Sequence, residues 1–186
     1  MTISPQFRNQ MIAAIPGLRA FGMSLTARSD RADDLVQETL MKAWKHHESF
    51  QADTNMKAWL YTILRNEFYT QLRKRKREVE DADGVYSSKV IVPAEQNGHL
   101  DMADLRIALA KLPEDQREAV ILVGASGFSY EEAAEICSVA VGTVKSRVNR
   151  ARARLTILLQ LDDSEESKSY SKSNLLHLNA DQLSDH

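Results

Sequence analysis

The densest chemistry in the sequence is a run of basic and short polar side chains between residues 141 and 159. Arg147, Arg150 and Arg154 step by three and four, with Lys145 and Arg152 beside them and Thr143, Ser146 and Asn149 near the N-terminal end. Val141, Val144, Val148, Ala151 and Leu155 step the same way on another side, so the segment reads as an amphipathic helix. Arginine can bridge two acceptors on a guanine edge, and asparagine can pair with adenine. The first exposed side chains of such a helix meet base edges when it enters a major groove, and the later arginines meet phosphate. Two other readings of these residues stay open. The whole face could touch phosphate alone, or the helix could be an ordinary one with a basic surface. A second basic cluster, Arg73 to Arg77, stands well upstream. Two separated basic elements suit two contacts on one polyanion.

Charge is arranged in blocks. The 186 residues carry a formal net charge of −2 at pH 7. The stretch up to residue 77 is basic, 78–104 is acidic, 139–155 is basic again and 156–186 is acidic. Apolar residues make up 43%, enough for a packed core. One cysteine excludes an internal disulfide and a Cys-rich zinc site. Motifs for enzyme chemistry are missing: no Walker-type glycine loop, no Gly-x-Ser-x-Gly elbow, no His-Glu-x-x-His pair. His46 and His47 are adjacent and point in different helical directions, a poor chelate. No cofactor or metal is therefore expected. The longest apolar run, Ala119 to Val123, is too short to span a bilayer, and the first ten residues have no apolar signal core. These features predict a soluble, cytoplasmic protein.

The elements that must position this chemistry are helical. A short first helix is expected from Pro5 to Ile15, ended by Pro16-Gly17, and a second carries Leu18, Phe21 and Leu25. A third begins after Ser29-Asp30 and buries Ala32, Leu35, Val36, Leu40, Ala43 and Trp44. A loop from His46 to Asn55 leads to a fourth helix with Met56, Trp59, Leu60, Ile63, Leu64, Phe68 and Leu72 on one side. Residues 78–101 lose the period and read as a linker long enough to hold the halves apart. Leu105, Ala108, Leu109 and Leu112 open the second half, followed by a helix from Gln116 to Val123. Ser129-Tyr130-Glu131-Glu132 is a capping box ahead of a short helix, and a turn at Cys137-Ser138-Val139 leads into the basic helix. Short helix, turn and long helix form a helix-turn-helix candidate. The fold class is all-α. Two small helical domains, 5–77 and 102–160, are joined by a flexible linker and followed by a disordered tail, 161–186.

Asp33-Asp34-Leu35-Val36-Gln37-Glu38-Thr39, with Trp59-Leu60-Tyr61-Thr62-Ile63, Asn66 and the basic run to Arg77, resembles region 2 of bacterial extracytoplasmic-function (ECF) sigma factors of the sigma-70 family. Leu112-Pro113, Gln116-Arg117-Glu118, Phe128 to Ala134 and Gly142 to Arg147 resemble region 4. Both blocks occur in the family's order, over about residues 5–160. Val123 to Phe128 and Ser146 to Arg152 look like the EcfG type, the general stress response group of alphaproteobacteria. Ala140 departs from the proline that many relatives carry before the recognition helix.

The resemblance implies a transcription initiation factor without catalytic chemistry of its own. Region 2 would bind the clamp helices of RNA polymerase core and open the minus-ten element. Region 4 would bind the minus-thirty-five element, typically GGAAC, and the polymerase flap. The polymerase-binding residues implied are Asp34, Leu35, Gln37, Glu38 and Met41. The minus-ten residues implied are Phe50, Asn55, Arg65, Asn66, Tyr69, Arg73 and Lys74, with Trp59 a candidate stacker better suited to the core. Opening the duplex unstacks bases at roughly a few kcal/mol each, which aromatic faces and amides can recover. The minus-thirty-five residues are the Thr143, Lys145, Ser146, Arg147, Asn149, Arg150 and Arg154 set. The resemblance also implies control by a NepR-type anti-sigma factor, itself drawn away by a sigma-like response regulator. A conventional activator with the same helix-turn-helix is the alternative, but it would not need the Asp33–Thr39 and Trp59–Arg77 blocks.

Overall fold

The computed structural model describes residues 4–51, 54–80 and 100–178. Among the described residues every regular element is helical. Helix α1 spans Pro5–Thr26, α2 Ser29–Lys45 and α3 Met56–Glu80; α4 spans Leu100–Ala110, α5 Glu114–Val120, α6 Tyr130–Cys137 and α7 Val141–Leu178. The linker expected at 78–101 lies mostly outside the described residues, and α3 and α4 each run a few residues into its ends.

Helix α1 is continuous, where the sequence predicts a break at Pro16-Gly17. Ser4 caps it by accepting a hydrogen bond from the Phe7 amide at 3.2 Å, and Pro5 sits at the first helical position. Pro16 lies on the exposed face. The carbonyl it leaves without an N–H partner therefore faces water, which lowers the cost of an interior proline. On the other face Phe7, Met11, Leu18, Phe21 and Leu25 form one buried line, and this line holds the helix together. Ala27 ends it in the left-handed region at φ 54°.

Helix α2 starts one turn position earlier than its Ser29-Asp30 signal. Arg28 occupies the cap, and its guanidinium pairs with Asp30 at 2.6 Å. Ala32, Leu35, Val36 and Ala43 are buried as expected, but Trp44 is 49% exposed. Trp44 lies about 100° around the helix from the fully buried Ala43 and past the half-buried Leu40, at the edge of the buried stripe. Helix α3 is capped by Asn55, whose side-chain oxygen accepts the Ala58 amide at 3.2 Å. Lys42 of α2 is paired with the buried Glu67 of α3. These three helices pack on one another as a bundle.

In the second half α5 is shorter than the predicted Gln116–Val123 helix. It passes at Ile121–Ala125 into a wider π-type turn, and Gly127 at φ 74° then reverses the chain. The capping box is complete: Ser129 Oγ accepts the Glu132 amide at 3.0 Å, and the Glu132 carboxylate accepts the Ser129 amide at 2.9 Å. Ser138 turns the chain at φ 54°, and α7 lays Val144, Val148 and Ala151 against α5 and α6. Helix α7 continues to Leu178, well past the Leu159 boundary and into the stretch expected as a disordered tail. Neither glycine nor proline follows Gly142, so no backbone signal stops it.

The two halves meet. Tyr61 of α3 stacks on Phe21 at 5.0 Å and meets Phe128 of the second half edge-on at 4.9 Å. Such aromatic pairs contribute about 0.5–1.5 kcal/mol each beyond the area they bury. Gly17 makes room for this stack, since a Cβ there would lie 2.7 Å from the Tyr61 hydroxyl.

Candidate nucleic-acid interface

Burial divides α7. Val144, Val148 and Ala151 are fully covered, which turns Lys145, Asn149, Arg150, Arg152 and Arg154 to solvent. Thr143, Ser146 and Arg147 are half-buried at the seam. Arg147 Nε pairs with Asp115 of α5 at 3.1 Å, so this guanidinium is oriented by a carboxylate. Ser146 donates to the Thr143 carbonyl at 2.9 Å, and the Lys145 amine lies 5.8 Å from the Tyr130 ring. The structure thus brings the predicted minus-thirty-five set together along one exposed ridge. Its outer members face solvent and its inner members are fixed by neighbours.

The predicted minus-ten set is divided. Arg73 and Lys74 are exposed toward the end of α3, and Asn66 is exposed about two turns earlier. Phe50 is half-buried in a ring cluster, 5.8 Å from Phe7 and 5.2 Å from Trp59. Asn55, Arg65 and Tyr69 instead face the second half of the molecule. Asn55 Nδ2 donates to Glu132 at 2.7 Å. Arg65 Nε pairs with Glu118 at 2.7 Å and lies 4.7 Å from the Tyr69 ring. The Tyr69 hydroxyl reaches the other Glu118 oxygen at 3.5 Å. Lys57 adds a hydrogen bond to the Ser126 carbonyl at 2.5 Å. The acceptors of the second half therefore occupy donors of the first.

Electrostatics follow from this closure. Burial raises the pKa of the Glu118 carboxyl, and Arg65 pulls against that rise. Burial also works against the Arg65 charge, but Glu118 more than offsets it. Burial and Glu118 together push the Tyr69 phenol up to about 12, and the same causes take the Cys137 thiol to about 12. Cys137 is a packed, unreactive residue at that value. The Glu132 carboxyl is lowered, chiefly by the Ser129 amide and then by Asn55.

On α2, Asp34, Gln37 and Met41 are exposed and Glu38 is half-exposed. Leu35 is 1% exposed, so it packs in the core and cannot itself touch a partner. Met41 and Trp44, 60% and 49% exposed, carry the apolar part of this surface. Sequence reasoning missed the exposure of Trp44 and the contacts that Lys57, Glu118 and Glu132 make between the halves. For Glu118 a signal existed, because it lies three and four positions before the buried Ile121 and Leu122. Among the described residues no group of three or more His, Cys, Asp or Glu could hold a metal, and no helix is long and apolar enough to cross a membrane.

A three-helix bundle with a basic helix end, packed on a helix-turn-helix with a basic ridge, is the two-module arrangement of a sigma-type protein. The sigma-70 region 2 family matches residues 12–78 and the sigma-70 region 4 family matches residues 103–155. The ECF RNA polymerase sigma factor EcfG of Rhodopseudomonas palustris is 57% identical over 166 residues, covering 89% of this chain and 92% of that one. The ECF sigma factor SigM of Bacillus subtilis is 32% identical over 151 residues, covering 78% and 90%. The solved sigma factor RpoE of Bartonella quintana, in complex with the anti-sigma factor NepR, is 56% identical with a TM-score of 0.77, covering 86% of this chain and 99% of that one. The chain belongs to the ECF sigma factors of the sigma-70 family, in the EcfG-type general stress response group.

Proposed function

We propose that this chain recruits RNA polymerase core to GGAAC-type promoters in the cytoplasm and supplies recognition rather than catalysis. The observation that carries the reading is the exposed α7 ridge of Lys145, Asn149, Arg150 and Arg154 behind a complete capping box, paired with the separate basic end of α3. The ridge reads the minus-thirty-five element. Arg73, Lys74 and Asn66 follow the backbone near the minus-ten element. Asn55, Arg65 and Tyr69 join them once the halves part. Asp34, Gln37, Glu38 and Met41 of α2 make the acidic-polar and apolar strip that suits a basic coiled-coil partner, and Leu35 supports that strip from beneath.

Control by sequestration follows from the RpoE–NepR likeness. A NepR-type anti-sigma factor masks the partner-binding surfaces of both halves, and a sigma-like response regulator removes it. Calorimetry with a NepR-type protein tests this, and binding to neither half excludes it. A polymerase pull-down set beside a gel shift tests the main reading. The chain should be retained by core polymerase and bind duplex promoter weakly alone. Tight duplex binding without polymerase association would mark a conventional activator instead.

A further inference from the structure

Between the halves lies a cleft of about 580 Å³ that promoter reading does not use. Ala20 and Phe21 of α1, Leu105 and Leu109 of α4, and Ile121 line it, so both halves contribute. Its lining also includes Arg117, which is only 6% exposed. The Arg117 Nε has no hydrogen-bond partner, and Nη1 reaches only the Ala110 carbonyl at 3.5 Å. Glu114, one turn before it and exposed, is the carboxylate that acts on its charge, and it forms no direct ion pair with Arg117, whereas Arg65 and Arg147 are paired with Glu118 and Asp115. Burial lowers the pKa of the Arg117 guanidinium, and Glu114 only partly opposes that. A buried cation with no directly paired carboxylate is costly, and an anion placed against it offsets that cost. Concave, mainly apolar clefts of this size with a few polar groups are the usual form of small-molecule sites.

We propose that this cleft binds a small amphipathic carboxylate, with its chain against Phe21, Leu105 and Leu109 and its headgroup on Arg117. The lining comes from both halves, so the ligand binds the closed chain and stabilises it against an open one. This site is independent of the promoter reading and is tested apart from it.

The test is calorimetry of the full chain with octanoate, octanol and octylammonium. Octanoate should bind saturably at one site, with octanol and octylammonium at least about tenfold weaker, the discrimination expected of a charge-assisted hydrogen bond. Arg117→Met should lose the preference for octanoate over octanol. If that variant does not fold by circular dichroism, Ala20→Phe serves instead. Position 20 is exposed on α1, so the ring fills the cleft with Arg117 intact and should abolish octanoate binding. Equal affinity for octanol and octanoate, undiminished binding in the folded variants, or no saturable heat would overturn the proposal. Arg117-dependent capture of an anti-sigma protein with no octanoate binding would also overturn it, because the cleft would then serve a protein segment.

Discussion

Arg147 and Arg150 stand three positions apart on α7 but in different surroundings. Arg150 is exposed, while Arg147 is held by Asp115. Arg150→Ala should weaken binding of the minus-thirty-five element by about 1–3 kcal/mol and leave stability unchanged. Arg147→Ala should weaken it as well and also lower the urea midpoint, because Asp115 loses its partner. Footprint titrations set beside urea melts separate the two effects, and unchanged footprints in both variants would remove the assignment. Glu132 makes a pH prediction. Its pKa is lowered from the ordinary 4.5 by the Ser129 amide and Asn55. Its contribution is therefore complete above that ordinary value and is lost as pH falls through the lowered one. Glu132→Gln should flatten this acid dependence in melts taken across the acid range. Ser129→Ala removes the other half of the box and should cost about 1 kcal/mol.

At the scale of elements, Pro16 and Gly17 should respond in opposite ways. Pro16→Ala restores a backbone donor on an exposed helix face and should raise stability by about 1–3 kcal/mol. Gly17→Ala drives a Cβ to 2.7 Å from the Tyr61 hydroxyl, and Tyr61 is wedged between Phe21 and Phe128. It should lower stability by about 1–3 kcal/mol, read as a drop in urea midpoint. The same pair shows where the sequence could be read and where it could not. The spacing of Leu18, Phe21 and Leu25 marked the buried face of the C-terminal half of α1 correctly, while Phe7 and Met11 went unread. The Pro16-Gly17 signal misled because a proline's cost depends on which face it occupies, and neighbouring helices decide that. The α6 capping box and the α7 stripes were legible because their partners lie three or four residues away. The Arg65–Glu118 and Asn55–Glu132 contacts were not, since they join residues 53 and 77 positions apart. Local periodicity does not encode such pairings. Candidate ridges could therefore be listed from sequence, but their closure onto each other could not.

At the scale of the molecule, closure sets donors of the first half against acceptors of the second. The buried Glu118 is the centre of that contact, because Arg65 and Tyr69 both point at it. Glu118→Gln keeps the shape and removes the charge that holds Arg65. It should enlarge the radius of gyration in small-angle scattering and strengthen binding of single-stranded minus-ten DNA. An unchanged radius and affinity would show that this pair does not govern closure. The central claim is broader: two helical modules read one promoter while carried by polymerase. Run-off transcription with purified core polymerase tests it most directly, using templates with an intact or scrambled GGAAC element. The account predicts product only when chain, core and intact element are all present. Absence of product from every GGAAC-type template, or equal product from scrambled ones, would contradict it.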